Sequence, residues 1–318
     1  MPKTSVKNAS QPAARSAKPT SRAASDPVID ALRPGQSIEL LKELHILTRD
    51  GKLNQDTRRK LKQVYHLYQF IEPLLTAAAG QSANPTLADH GAGKSYLGFI
   101  LYDLYFNVAR AGQSPAGHIY GIETRAELVD KSRALALRLG FGGMTFLNAS
   151  VLEATTSSAL PDQIDIVTAL HACDTATDDA IAFGLAKHAR HMVLVPCCQA
   201  EVAGVLKRSR ALNLSKTPLA ELWRHPLHTR EFGSQITNVL RCLQLEAHGY
   251  QVTVTELVGW EHSMKNELIL ASKPAHAQPS KTRAARERLQ AVLQTLGLGE
   301  LTARFAVAAT KTDLANIA

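Results

Sequence analysis

The sequence predicts an α/β fold in which a mostly parallel sheet of seven strands carries helices on both faces, with helical extensions at either end. Three observations lead there. Short runs rich in branched apolar residues alternate with longer segments whose apolar positions recur every three or four residues, the pattern of repeated strand-helix units. The last two runs, Val252–Val258 and Glu267–Ser272, lie too close in sequence for a crossover helix, so they pair antiparallel. In the first unit, Leu87-Ala88-Asp89-His90-Gly91-Ala92-Gly93-Lys94-Ser95 reads as a buried strand ending in a glycine turn that opens a helix.

Taken in order, residues 1–26 form a basic tail: Lys3, Lys7, Arg15, Lys18 and Arg22 lie among Ala, Ser and Pro, with no acid before Asp26. Such a composition cannot bury enough apolar surface to fold and is expected to be disordered. Residues 27–80 are a helical extension; Asp50-Gly51 marks a turn, after which Leu61, Val64, Tyr68, Ile71 and Leu75 recur at helical spacing. The core domain spans 81–274, with strands at Thr86–Asp89, His118–Glu123, Thr145–Asn148, Ile164–Leu170 and Met192–Pro196. Helices are expected at Ser95–Ala111, Arg125–Leu139 and Thr177–Lys187. A basic insertion at 199–230 then precedes a helix at Ser234–His248 and the final strand pair. The segment 275–318 is a second helical extension, with Ala285, Leu289, Val292, Leu293 and Leu296 on one face.

Composition narrows the function classes. The chain has 318 residues, 45% of them apolar, enough for one sizeable core. It contains no apolar run near the roughly 18 residues of a membrane span and no apolar region of a secretory signal near its N-terminus, which predicts a cytoplasmic protein without a membrane partner. Four cysteines are too few for a disulfide framework and are expected to be reduced thiols. The net charge of +8 is concentrated in the tail, at Arg58–Lys62, at Lys207–Arg210 and at Lys281–Arg288. Such clusters suit a nucleic-acid partner, RNA above all, and equally suit solvated helix faces.

The glycine turn is a nucleotide-like cradle. Gly93-Lys94-Ser95 resembles the end of a phosphate-binding P-loop, but that motif needs a glycine where Ala88 stands and has no place for the acid Asp89. A dinucleotide fingerprint would need a glycine in place of Tyr96. In an open parallel sheet, ligands bind beyond the carboxyl ends of the strands. That rule gathers Asp89–Gly93, Glu123, Asn148–Ser150, His171–Asp174 and Pro196–Gln199 on one rim. An acid such as Glu123, closing a second strand, can accept both hydroxyls of a ribose.

Together, Asp89-His90-Gly91-Ala92-Gly93-Lys94, His171-Ala172-Cys173-Asp174 with Thr177-Asp178, and Pro196-Cys197-Cys198 resemble a family of methyltransferase domains with D-x-G-x-G-K, H-x-C-[DG] and Pro-Cys-Cys motifs. The resemblance covers roughly residues 58–272 and implies a Rossmann-like class I fold with S-adenosylmethionine as cofactor. It implies that Asp89, Gly91, Gly93, Glu123 and Ser150 contact the cofactor, Ser150 standing where many such enzymes carry an acid.

For the chemistry, His171 or Asp174 could be a general base, since methyl transfer needs a nucleophile freed of its proton. Cys197 or Cys198 could attack a pyrimidine ring, as in RNA cytosine-5 methyltransferases. His171, Cys173, Cys197 and Cys198 are also donors of the zinc-binding type, but their spacing specifies no metal site and none is assigned. Small residues fitting a crowded rim would look the same. The expected function is S-adenosylmethionine-dependent methylation, of RNA by the charge argument. The rival readings are a P-loop-like nucleotide hydrolase and a non-catalytic RNA-binding protein of the same fold.

Overall fold

The computed structural model describes residues 32–53, 55–109, 117–170, 172–196, 199–209, 214–257 and 267–306. The basic tail therefore lies outside the described residues, as do His171, Cys197 and Cys198. The elements described here all lie in the unit that begins at Gly35.

Seven strands form one sheet: β1 Thr86–His90, β2 His118–Glu123, β3 Met144–Asn148, β4 Ile166–Leu170, β5 His191–Val195, β6 Gln251–Glu256 and β7 Glu267–Ser272. Their order is β3-β2-β1-β4-β5-β7-β6. The first five run parallel, while β7 is antiparallel to both β5 and β6. The strand order reverses between β1 and β4. Register sets Asp89 beside Gly121 on one side and Thr168 on the other, so the β1 turn opens at that switch point.

Among the described residues, nine α-helices accompany the strands: α1 Ile38–Glu43, α2 Gln55–Ala79, α3 Tyr96–Leu101, α4 Ala126–Leu139, α5 Val151–Thr156, α6 Ala176–Ala186, α7 Glu201–Ser209, α8 Pro226–Ala247 and α9 Pro279–Thr295. On α2 the expected stripe is the buried one, Leu61, Val64, Tyr68, Ile71 and Leu75. One core joins the sheet to α5 and α6 through Ala88, Ile122, Val167, Ala169, Ile181 and Phe183. Another packs α7, α8 and α9 together around Val202, Leu206, Leu240, Leu289 and Leu293. Elsewhere Phe99 stacks on Phe146 at 5.5 Å and tilts against Phe141. Gly121 is required below that cluster, because a Cβ there would lie 2.6 Å from the Phe146 ring.

Two local expectations need correction. The helix expected at Ser95–Ala111 is α-helical only to Leu101 and widens into a π-helix at Tyr102–Ala109, residues 110 and 111 lying outside the described set. The wider coil lets Tyr102 tilt against both Phe106 and Phe141 while its hydroxyl accepts the Gly143 amide at 3.0 Å. The helix expected from Ser234 begins eight residues earlier, at Pro226: a proline at the first helical position lacks only an N–H that would have no partner. The basic segment before it contains α7 and two short 3₁₀ turns at Leu214–Lys216 and Pro218–Trp223. At the C-terminal side the described residues of the expected helical extension hold α9 and a 3₁₀ turn at Gly299–Leu301, and residues 307–318 lie outside the described set.

Candidate cofactor site

The site is built where β1 and β2 end. Gly91 and Gly93 have φ of +65° and +57°, left-handed conformations that side chains resist. A Cβ on Gly91 would meet nothing within 4 Å, so the turn presents bare backbone to open space. Glu123, 7% exposed, reaches back to this turn. Its Oε2 accepts the Gly93 amide at 2.8 Å, and its Oε1 accepts the Arg125 amide at 3.0 Å. The Arg125 guanidinium lies along the same carboxylate, Nε 3.0 Å from Oε1 and Nη2 3.2 Å from Oε2. Burial by itself would raise the Glu123 carboxyl, but hydrogen bonds from the Arg125 side chain and amide and the Gly93 amide outweigh it and hold it at about 2. The acid is ionised at any physiological pH. Because the Arg125 side chain is 61% exposed, its guanidinium can swing into water and yield the carboxylate to two hydroxyls of a ligand.

Asp89 sits beneath the turn, 2% exposed. Its Oδ1 accepts the Thr168 hydroxyl at 2.8 Å, and the Gly98 amide adds a second hydrogen bond. Burial dominates these bonds and pushes the carboxyl up to about 7. The sign of the consequence is fixed. The folded chain keeps a proton there that the unfolded chain releases near the ordinary aspartate value of 3.8, so this contribution to stability falls as pH rises from there to about 7. Replacing Asp89 by asparagine is therefore expected to leave stability unchanged below pH ~4 and to raise it above pH ~7, by up to about 4 kcal/mol for a shift of some three pH units. Urea unfolding at both pH values checks it; a gain at the acid end instead would contradict the buried, protonated carboxyl.

His90 follows on the other face of β1. It is 6% exposed, its ring is 6.1 Å from that of Phe183, and neither ring nitrogen has a hydrogen-bond partner. Burial brings its pKa down to about 4, so the imidazole is neutral.

The remaining sequence-selected residues lie further along the rim. The Ser150 side chain caps α5, its Oγ donating to Glu153 Oε2 at 2.7 Å and accepting the Glu153 amide at 3.4 Å, a capping box that already commits the hydroxyl. Asp174 stands at φ +49°, and its Oδ1 accepts the amides of Ala200 and Glu201 at 2.9 and 3.3 Å, tying the loop after β4 to the start of α7. Cys173 is exposed. The zinc question falls on His171, Cys197 and Cys198, outside the described residues; among the described residues no three His, Cys, Asp or Glu side chains could hold a metal ion. Sequence reasoning missed Arg125 and Thr168, the partners of the two central acids. Arg125 was readable as a cation two residues from Glu123; Thr168 becomes a neighbour only through the β1–β4 register.

The P-loop reading fails on geometry. Ser95, whose hydroxyl would have to reach a phosphate-bound magnesium, is fully buried at φ +51°, with Oγ 2.6 Å from where a Gly98 Cβ would stand. The hydroxyl points under the helix, away from the turn's open side.

A seven-stranded sheet of this order, with a glycine turn and a strand-end acid at its switch point, is the Rossmann-like fold of class I methyltransferases. Residues 59–205, less than half of the chain, match a family model described as a methyltransferase domain, and this match supports an enzyme that uses S-adenosylmethionine. Solved structures similar in architecture include magnesium protoporphyrin IX methyltransferase from Synechocystis with bound SAH (15% identity, 74% of this chain and 94% of that one, TM-score 0.42). A precorrin-6y C5,15-methyltransferase from Geobacter metallireducens gives 17% identity, 64% and 88% coverage and a TM-score of 0.36. An rRNA methylase from Streptococcus thermophilus gives 10%, 65% and 93%, and 0.37. No curated protein matches the chain. No helix among the described residues is long and apolar enough to cross a membrane.

Proposed function

We propose that the chain methylates RNA, holding S-adenosylmethionine with Asp89, Gly91, Gly93 and Glu123. The observation that carries the cofactor assignment is the hydrogen bond from the Gly93 amide to Glu123, which joins the turn and the strand-end acid into one cradle. Bound there, the cofactor supplies an electrophilic methyl group on a sulfonium. The residues of the chain do the rest. Glu123 receives the ribose hydroxyls, the bare backbone of Gly91 and Gly93 allows close approach, and Asp89, buried beneath the turn, presents its carboxyl group toward the methionyl end and gives up its proton when the ligand's ammonium arrives. Methyl transfer asks chiefly for alignment and exclusion of water, which a pre-built rim provides. Asp174, with Oδ1 occupied by two amides, acts in this reading as the anchor of the rim, and a base is sought in His171.

The acceptor rests on charge. Arg58, Lys60 and Lys62 stand exposed on α2 and Lys94 stands exposed at the turn itself, while Arg125 beside it is paired with Glu123. A cation at the turn and further exposed cations on α2 suit a polyanionic acceptor. On the opposite side of the count, Arg208, Arg224 and Arg230 of the segment before and into α8 are paired with Glu300, Glu221 and Glu231, so that segment offers less free charge than its sequence suggests.

Two measurements test the proposal. Calorimetry is expected to show S-adenosylmethionine binding and no binding of magnesium-ATP; the reverse would reject the cofactor cradle. With tritiated methyl donor, label is expected in total cellular RNA and to vanish in Asp89→Ala; label entering only protein or small molecules would reject the acceptor.

A further inference from the structure

The geometry points to Arg241 of α8 as a positioning residue that holds the ends of β4 and β5 in fixed relation, an inference that rests on the methyltransferase reading above for its functional consequence. Arg241 is completely buried, a costly place for a cation unless every donor is met. Its Nε and Nη2 grip both carboxylate oxygens of Asp178 at 2.8 and 2.7 Å. Nη1 donates to Asn238 Oδ1 at 3.1 Å, and Nη2 also donates to the backbone carbonyl of Asp174 at 2.8 Å.

That last bond gives the cluster its meaning. Asp174 lies four residues past the end of β4 in a left-handed conformation that a non-glycine residue holds only when its surroundings impose it. Arg241 fixes its carbonyl from one side, and the Ala200 and Glu201 amides at the start of α7 fix its carboxylate from the other. The chain Arg241–Asp174–Ala200 thus links the loop after β4 to the segment after β5. Asn238 extends the link: its Oδ1 accepts from Gln199 Nε2 at 3.1 Å, its Nδ2 donates to Glu267 Oε2 at 2.7 Å, and Ser234 donates to Gln199 Oε1. Three rim segments, after β4, after β5 and at the start of β7, converge on one guanidinium and one amide.

A buried ion pair is a poor stabiliser beside apolar packing of the same volume. Its use here is geometric: only a planar fork can meet Asp178 twice, Asn238 and a carbonyl together, and a lysine ammonium cannot.

Arg241→Lys and the volume-filling pair Arg241→Met with Asp178→Leu test this. In both, the Ala200 and Glu201 amides are expected to exchange hydrogen at least about tenfold faster, while amides of β1 and β2 change less than about twofold. Binding of S-adenosylmethionine, which depends on the β1 and β2 ends, is expected to stay within about threefold by calorimetry. Transfer of labelled methyl groups into total RNA is expected to lose at least about tenfold in kcat at an unchanged KM for the donor, the mark of lost alignment rather than lost binding. The doubly substituted variant keeps the core filled, so the same loss there separates positioning from stability. Unchanged exchange at Ala200 and Glu201, or exchange that rises equally throughout the sheet, overturns the inference. A wild-type protein that binds no S-adenosylmethionine overturns the methyltransferase reading instead, and the two amides still decide the link.

Discussion

Replacing Glu123 by glutamine is expected to weaken S-adenosylmethionine binding by about 100-fold, since a hydrogen bond to an ionised carboxylate contributes about 1.5–3 kcal/mol and the ribose would make two of them. Glutamine keeps the length and can still accept the Gly93 amide, so the turn stays closed. What it loses is the charge, held fully ionised at about 2 by Arg125 and Gly93. The folded state should hardly notice, because the ion partner Arg125 is 61% exposed and a water-facing pair contributes little. Arg125→Ala is the informative companion. If the guanidinium occupies the oxygens that ribose needs, its removal tightens binding or leaves it unchanged, whereas a guanidinium that itself held the cofactor would weaken it on removal. Calorimetry on the two variants with urea unfolding alongside decides the matter; equal affinity of Glu123→Gln and wild type would remove Glu123 from the cofactor site.

How far this site was legible in the sequence follows from the range of each interaction. Asp89, Gly91, Gly93 and Glu123 could be selected because parallel strands end on one side of a sheet, so residues closing consecutive strands meet whatever lies between them. Strand positions were readable for the same reason. Buried strands are short, largely apolar runs, and the expected and observed ranges of the parallel β2 and the antiparallel β7 coincide. Helix starts were harder. Pro226 opens α8 with a first turn, Leu227-His228-Thr229, whose single leucine is exposed and sets no apolar period to announce the helix. Arg241 was out of reach altogether. Its carboxylate partner is 63 residues away, and within α8 an arginine reads as one more solvated charge. Nothing in a one-dimensional pattern tells a buried guanidinium from an exposed one until the partner helix and loop are placed. Thr168 is a similar case, invisible as a partner for Asp89 until β4 is laid beside β1.

The largest loss of stability is expected at Gly233, where α8 crosses α7. A Cβ at this position would lie 2.6 Å from both Cα and Cβ of Ala203 and 2.8 Å from its amide nitrogen. These are mainly backbone atoms, which have no rotamer to turn, so the helices themselves must separate. Gly233→Ala is expected to cost about 1–3 kcal/mol and Gly233→Val more than about 3 kcal/mol, the upper range of overpacking. Gly204, the residue after Ala203 on α7, supplies the contrast. A Cβ there meets only the end of the flexible Arg208 side chain at 3.5 Å, so Gly204→Ala should stabilise by about 0.5–1 kcal/mol through helix propensity alone. Opposite signs for the same chemical change in two packed helices, read by urea unfolding, would locate the tight contact. Equal signs would mean that α7 and α8 do not meet at Ala203. The consequence reaches the rim, because α7 begins at the amides held by Asp174 and α8 carries Arg241 and Asn238. Prising the helices apart at Gly233 pulls on both ends of that link. Gly233→Ala should therefore raise hydrogen exchange at Ala200 and Glu201 beyond what its loss of global stability explains, while the Gly93–Glu123 cradle, built on β1 and β2 alone, keeps its affinity for the cofactor.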